Sequence, residues 1–160
     1  MIKIISFQPH HTQQIIDLII NIQQNEFQVP VTLADQPDLL TINAFYQQKR
    51  GDFWVAMDGD VVVGTIALID CGGTVGCIRK MFVKAEYRGK EHKIAQRLLD
   101  NLQDWATTHQ IENLYLGTVE KLQAAIAFYK RNGFTAIEKS DLPLTFPIMP
   151  VDTHFFEKKL

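Results

Sequence analysis

The feature that most constrains the fold is a strand, a basic turn and a helix that follow one another directly. Residues 78–83 form a short apolar run that is typical of a buried strand, and Tyr87-Arg88-Gly89-Lys90 then predicts a turn. From Ile94 onward, apolar residues recur at helical spacing, at Leu98, Leu102 and Trp105. Because a helix start carries unpaired N–H groups and the positive end of the helix dipole, this junction predicts a phosphate-binding site above the strand.

Positive charge is concentrated at the same junction, although the chain as a whole has a net charge of −2. The basic residues there are Lys84, Arg88, Lys90, Lys93 and Arg97. On charge alone they are equally consistent with a solvated helix start. The patch is short, lies at one helix start and has no interleaved aromatic residues, so a nucleic-acid-binding domain is the weakest of the alternatives, and we expect no nucleic-acid partner.

The rest of the chain predicts an α+β fold. Apolar and turn patterns predict strands at 2–7, 52–57, 61–69, 75–83, 114–118, 134–138 and 152–158. Helices are predicted at 12–22, from 37 to about 50, at 94–109 and at 122–131, with a loop at 25–35. Asp58-Gly59 and Gly72-Gly73 predict two tight turns that join three antiparallel strands. We therefore expect residues 1–160 to form a single domain with a mixed, mostly antiparallel central sheet and helices on both faces.

The two cysteines of the chain flank a glycine turn. A two-residue turn at Gly72-Gly73 would place Cys71 opposite Thr74 and Cys77 opposite Leu68, so we expect no disulfide bond between them. Two free thiols without metal-ligand spacing indicate a reducing, cytoplasmic location. The N-terminus has no signal-peptide pattern, and the most apolar stretch, residues 15–22, is too short to cross a membrane. The His10-His11 pair lacks a third ligand, so no metal site is predicted.

The junction resembles the acyl-CoA-binding motif of the GNAT family of N-acetyltransferases. The core of that motif is Arg/Gln-x-x-Gly-x-Gly/Ala, in which Arg88 matches the first position and Ala95 the last. Two departures are present. Glu91 and His92 form a two-residue insertion, and Lys93 stands where the family has its first helix-start glycine. A longer turn is therefore expected. The order of predicted elements also resembles the GNAT layout over nearly the whole chain.

A second stretch, residues 124–134, resembles the family pattern Ala-x-x-Phe-Tyr-x-x-x-Gly-Phe. The resemblance implies that Tyr129 lies near the CoA sulfur and acts as the general acid that protonates the departing thiolate. From the residues alone, a core tyrosine on the apolar stripe of its helix is the favoured interpretation of Tyr129. Many family members have an asparagine at the position of Leu122, so no cofactor contact is assigned there.

The resemblance also implies a role for the strand and the turn. Backbone amides within Met81, Phe82 and Val83 would stabilise the oxyanion and pair with pantetheine as an added strand. The CoA diphosphate would be held by the turn, at Arg88, Gly89, Lys90, Lys93, Ile94 and Ala95. No general base is assigned, because the strand offers Cys77, Arg79 and Lys80 but no carboxylate. Other candidates are Glu26, Glu120 and His154, each equally consistent with plain surface.

The function implied is acetyl-CoA-dependent N-acetylation of a small molecule or peptide that bears an amine, without a metal. A different reading is an acyl-CoA-binding sensor or structural protein with the same fold and no transfer activity. The loops at 25–35 and 140–150 are the least family-like segments, so we expect them to determine the acceptor. The second contains Pro143, Pro147 and Pro150, and its apolar residues Phe146, Ile148 and Met149 would cover either the amine site or a homodimer face.

Overall fold

A computed structural model describes all residues, 1–160, and contains one seven-stranded sheet. The strands are β1 (Ile2–Ser6), β2 (Asp52–Asp58), β3 (Val61–Asp70), β4 (Val75–Val83), β5 (Asn113–Thr118), β6 (Thr135–Ile137) and β7 (His154–Lys159). The α-helices are α1 (Thr12–Ile20), α2 (Ile42–Tyr46), α3 (Ile94–Thr108) and α4 (Gln123–Arg131). The element order and the α+β fold class predicted from the sequence are confirmed.

The helices cover both faces of the sheet. On one face, α3 and α4 bury a core that includes Ile94, Leu98, Ile126 and Tyr129. On the other face, α1 and α2 pack Ile15, Ile42 and similar residues against the opposite side of β2 and β3. β2 and β3 thus alternate their side chains between two apolar layers, as the period of two of a strand requires. None of the helices is both long and apolar enough to span a membrane.

The sheet opens between its two central strands. Its order is β1-β2-β3-β4-β5-β7-β6, and every neighbouring pair is antiparallel except β4 and β5. Those two parallel strands pair only from Val75 to Cys77 on β4, opposite Asn113 to Tyr115 on β5. Beyond these residues the strands separate, which leaves the backbone edge of residues 78–83 without a neighbouring strand.

Two local predictions between α1 and β2 were wrong. The loop predicted to begin at residue 25 begins later, because a π-helical segment, Asn21–Glu26, continues α1. The second helix is a 3-10 turn, Pro37–Leu40, followed by the short α2. Because the helical phase changes at this break, Leu40 and Phe45, which the pattern placed on the buried face, are 61% and 44% exposed.

The prediction for the cysteines was also wrong, because Cys71 and Cys77 form a disulfide bond. The Cys71 amide donates to the Val75 carbonyl at 3.0 Å, so the turn contains three residues and not two. The register shifts by one residue, which places Cys77 opposite Ile69. Cys71 and Cys77 then become diagonal neighbours on one face of the hairpin, with Cα atoms 6.5 Å apart. The argument for a reducing compartment rested on unpaired thiols and loses that support.

Candidate active site

A cleft with a cavity volume of about 110 Å³ lies where β4 and β5 separate. One side is formed by residues 78–82 of β4 and the other by residues 116–119, at the end of β5 and just beyond it. Tyr129, Ala125 and Leu122 from α4 and its start complete the inner end. Met81 and Phe82, two of the three strand residues predicted to bind the thioester, therefore border the same space as the predicted general acid, whereas Val83 does not line it.

Tyr129 is buried, and its hydroxyl is placed at the cleft by α4. The only partner of the hydroxyl within the protein is the sulfur of Met81, at 3.5 Å. A thioether is a weak acceptor, so the O–H group is free to donate to a better one. Burial raises the pKa of Tyr129 well above its usual value, and the hydroxyl is therefore protonated at neutral pH. The prediction placed Tyr129 on the apolar face of its helix, and it lies both there and at the cleft.

The turn between β4 and α3 presents a continuous run of free amides. None of the backbone N–H groups from residue 89 to residue 96 donates a hydrogen bond to a protein acceptor, and the first bond at the start of α3 runs from the Arg97 amide to the Lys93 carbonyl. Lys90 and Lys93 are exposed beside these amides. Free donors, a helix N-terminus and two lysines together form a surface suited to a diphosphate.

Lys93 shows why the family motif has glycine at this position. It is the N-cap residue of α3 and adopts a left-handed conformation, with φ of 51°. Glycine reaches this region without steric cost, whereas a residue with a Cβ is strained there. The turn that contains Glu91 and His92 closes onto α3 through the left-handed position of Lys93.

Comparisons with known proteins agree with this geometry. A sequence model described as the acetyltransferase (GNAT) family matches residues 16–134. The chain belongs to the GNAT acetyltransferase family. A solved GNAT acetyltransferase from Staphylococcus aureus Mu50 is 37% identical over 99% of both chains, with a TM-score of 0.96.

Two further matches are weaker. The PaiA N-acetyltransferase from Thermoplasma acidophilum, solved with coenzyme A, covers 100% of this chain and 99% of its own at 16% identity and a TM-score of 0.73, which is a likeness of fold. An IAA acetyltransferase from Azospirillum brasilense is 36% identical over 83 residues, which are 51% of this chain and 53% of that protein. The chain therefore spans about half the length of this curated relative. The recognition made from the sequence, and the acetyltransferase class that it implied, are confirmed at the level of the family.

In this GNAT protein Arg88 is held away from the free amides. Its guanidinium forms a two-point ion pair with Glu26, in which Nη2 lies 2.8 Å from Oε1, and its Nε donates to the Val83 carbonyl at 2.8 Å. It also lies over the ring of Phe27, 5.6 Å from the centroid. Arg88 therefore ties the turn to the end of the π-helical segment that follows α1, and Glu26, a candidate base from the sequence, is occupied by this pair.

A buried polar network lies beside β4 and includes two residues that line the cleft, Lys80 and Gln23. Lys80 has a side chain only 3% exposed, and its Nζ donates to Gln36 at 2.5 Å and lies 3.6 Å from Asp38. Gln36 in turn donates to Gln23, a cleft residue, at 2.8 Å. Burial lowers the pKa of Lys80 to about 8, partly offset by Asp38. The sequence contains no local pattern for this network.

Both loops that were expected to select the acceptor reach the cleft. Val29 and Val31 from the first loop line it, as do Phe146, Pro147 and Met149 from the proline-containing loop. Of the remaining candidate bases, neither Glu120 nor His154 lines the cleft. The carboxylate that does line it is Asp152, which the sequence did not single out because it lies on no motif.

Proposed function

We propose that this chain transfers the acetyl group of acetyl-CoA to the amine of a small molecule or peptide. The observation that carries the proposal is the combination of three features in one molecule. These are the free amides of residues 89–96, the unpaired edge of β4 at Met81 to Val83, and the Tyr129 hydroxyl. They match the diphosphate, the pantetheine and the thioester in the order in which these groups occur along acetyl-CoA.

In this proposal each group has a specific task. The turn amides and Lys90 and Lys93 bind the diphosphate, while the β4 edge pairs with the pantetheine amides and supplies a donor to the tetrahedral oxyanion. Tyr129 donates a hydrogen bond to the thiolate as the C–S bond breaks. The loops at residues 27–36 and 140–150 contact the acceptor. We propose that residues 1–160 act as one domain. The cytoplasmic location remains a prediction from the sequence.

The direct test is incubation with acetyl-CoA and a panel of amines, with release of free thiol as the readout. Transfer predicts thiol release that depends on both the enzyme and the amine, together with an acetylated product detected by mass spectrometry. An acyl-CoA sensor predicts binding of acetyl-CoA by calorimetry with no amine-dependent thiol release. Binding of neither acetyl-CoA nor CoA would contradict both functions.

Arg88→Ala is expected to weaken acetyl-CoA binding about tenfold or more, because a charge-assisted contact contributes roughly 1.5–3 kcal/mol. To reach the diphosphate, Arg88 must leave Glu26. The Glu26→Gln variant is therefore expected to bind acetyl-CoA as tightly as the wild type or more tightly. Calorimetry on both variants, with melting temperatures to establish folding, checks the assignment. An unchanged affinity in Arg88→Ala would exclude a role for this side chain.

Joint substitution of Phe146 and Met149 by Ala is expected to raise the KM for the amine several-fold with little effect on acetyl-CoA affinity. Both residues line the cleft, and Phe146 is buried against the rest of the domain. Ile148 is 45% exposed on the same loop, so Ile148→Ser tests the predicted homodimer face by light scattering. If the double variant only loses stability, the loop packs on its own domain and does not select the acceptor.

A further inference from the structure

Asp152 has an unusual position in the cleft. It lies just before β7, and its carboxylate sits directly over Gly117 of β5, where the absence of a side chain leaves room for it. A Cβ atom at Gly117 would lie 2.6 Å from Asp152 Oδ2 and 3.2 Å from its Cγ. The Asp152 carboxylate therefore packs on the backbone of β5, and it lines the same cleft as β4 and Tyr129.

The half-buried Asp152 carboxylate receives no hydrogen bond from the protein and has no cation within 4.0 Å, whereas three other aspartates inside the fold are all paired. Asp38 accepts from the Tyr46 hydroxyl at 2.5 Å, and Asp52 accepts from Ser6 at 2.7 Å. Asp70 forms a two-point pair with Arg50, with the shorter contact 2.7 Å long. Neither Asp152 oxygen is shut away from water without a partner, so the carboxylate is open to water and to a ligand that enters the cleft.

The groups that face Asp152 set its charge. Arg79 and Lys80 approach from β4, Tyr129 lies across the cleft on α4, and His154 follows two residues later on β7. Asp38 and Tyr46 lie behind Lys80. Burial raises the pKa of Asp152 to about 6, while Arg79 and Lys80 act in the opposite direction. The carboxylate is thus ionised at neutral pH, and a pKa close to neutrality suits a group that accepts and releases a proton.

We propose that Asp152 is the general base of the acetyl transfer, and that it takes the proton of the acceptor ammonium group. This inference rests on the proposed function. The ammonium gives one proton to the carboxylate, and the freed lone pair forms the N–C bond with the thioester carbonyl carbon. The C–S bond then breaks. The nitrogen loses a second proton, which the departing thiolate takes, so CoA leaves as the thiol. Asp152 returns its own proton to solvent, so the products are the amide, CoA and one proton.

Two substitutions test the role in catalysis. Asp152→Asn is expected to lower kcat about a hundredfold, the lower end of the usual effect of general acid–base assistance, with an unchanged acetyl-CoA Kd. Asp152→Ala leaves space over Gly117, so added formate is expected to restore part of its rate, whereas chloride at the same ionic strength is not. Asp152→Glu should keep more activity than either. Asp104→Asn, an exposed carboxylate on α3, is the matched control and should keep the wild-type kcat.

The melting temperature of Asp152→Asn distinguishes a catalytic carboxylate from a purely structural one, because loss of a structural carboxylate would lower it. Because the folded-state pKa of Asp152 is raised, the stability that this group contributes is fully present below its unfolded pKa near 3.8 and is lost as pH rises through about 6. The neutral Asp152→Asn variant escapes this loss. Its melting temperature at pH 7.5 is therefore expected to equal or exceed that of the wild type, and the difference should shrink as pH falls toward 4.

The outcomes separate this inference from the proposed function. Thiol release by the wild type that is equally fast in Asp152→Asn and Asp152→Ala overturns the base and leaves the acetyltransferase intact. Loss of activity together with a lowered melting temperature and no formate rescue also overturns it, in favour of a structural carboxylate. If the wild type releases no thiol with any amine, the proposed function fails, and the base fails with it.

Discussion

Tyr129→Phe is expected to lower kcat by about a hundredfold and to leave the affinity for acetyl-CoA close to that of the wild type. General acid assistance is typically worth ~10²–10⁴-fold, and two facts place Tyr129 at the lower end of that range. A thiol has a pKa near ~8.5, so a thiolate leaves tolerably without help near neutral pH. Burial also raises the pKa of Tyr129 above that of the thiol, so the hydroxyl assists mainly as a hydrogen-bond donor.

The substitution is conservative for the fold. The ring of Tyr129 meets Phe128 and Phe134 edge-to-face, with centroids 5.7 and 5.3 Å apart, and phenylalanine keeps both ring pairs. Within the protein, the change removes only the 3.5 Å approach of the hydroxyl to the Met81 sulfur. We therefore expect a change in melting temperature of no more than a few degrees. A loss that falls on kcat and kcat/KM alike places the missing interaction in the transition state.

Single-turnover rates with acetyl-CoA, measured beside melting temperatures, check this result. Tyr115→Phe provides a matched control, because Tyr115 lies on β5 outside the cleft lining. A Tyr129→Phe rate within about twofold of the wild type, where chemistry limits turnover, would remove Tyr129 from the mechanism. It would also favour the acyl-CoA sensor over the transferase.

The parts of this molecule that the sequence predicts well are those determined by neighbouring residues. The predicted and observed bounds of β4 are the same, and α3 begins at Ile94 as predicted, because a short apolar run and a helical spacing of apolar residues lie on either side of the turn. The strained position of Lys93 was also detectable, since a lysine stood where the family motif has glycine. Local pattern thus identified both halves of the junction that borders the cleft.

The parts that were missed depend on a single residue of register or on distant partners. One additional residue in the turn after Cys71 changed which side chains share a face, and so converted two unpaired thiols into a disulfide bond. Lys80 and Gln36 are 44 residues apart and meet only because the segment before α2 folds over β4. Asp152 becomes notable only when Gly117 leaves space beneath it. Neither periodicity nor a motif predicts contacts between residues that are so far apart in the sequence.

Lys80→Met is expected to destabilise the fold by about 3 kcal/mol. The change removes the cation beside Asp38, which is 5% exposed, and breaking a buried pair in this way typically costs ~3–5 kcal/mol. The lower end applies because the Tyr46 hydroxyl still donates to Asp38 at 2.5 Å. For a chain of this size, such a loss corresponds to a fall in melting temperature of roughly 10 °C. Lys139→Met, at an exposed position without an ion pair, is the control and should change little.

The pH dependence of the two proteins distinguishes a lost charge pair from lost packing. Because burial lowers the folded-state pKa of Lys80 to about 8, the unfolded chain binds this proton more tightly between pH 8 and about 10.5. Wild-type unfolding free energy is therefore expected to gain a favourable contribution from Lys80 as pH rises through that window, and Lys80→Met should lack it. In a double-mutant cycle, Asp38→Asn combined with Lys80→Met should cost less than the sum of the single changes, because Asn leaves no unpaired charge behind. Strict additivity with parallel pH curves would instead mean that Lys80 stabilises β4 through its aliphatic chain alone.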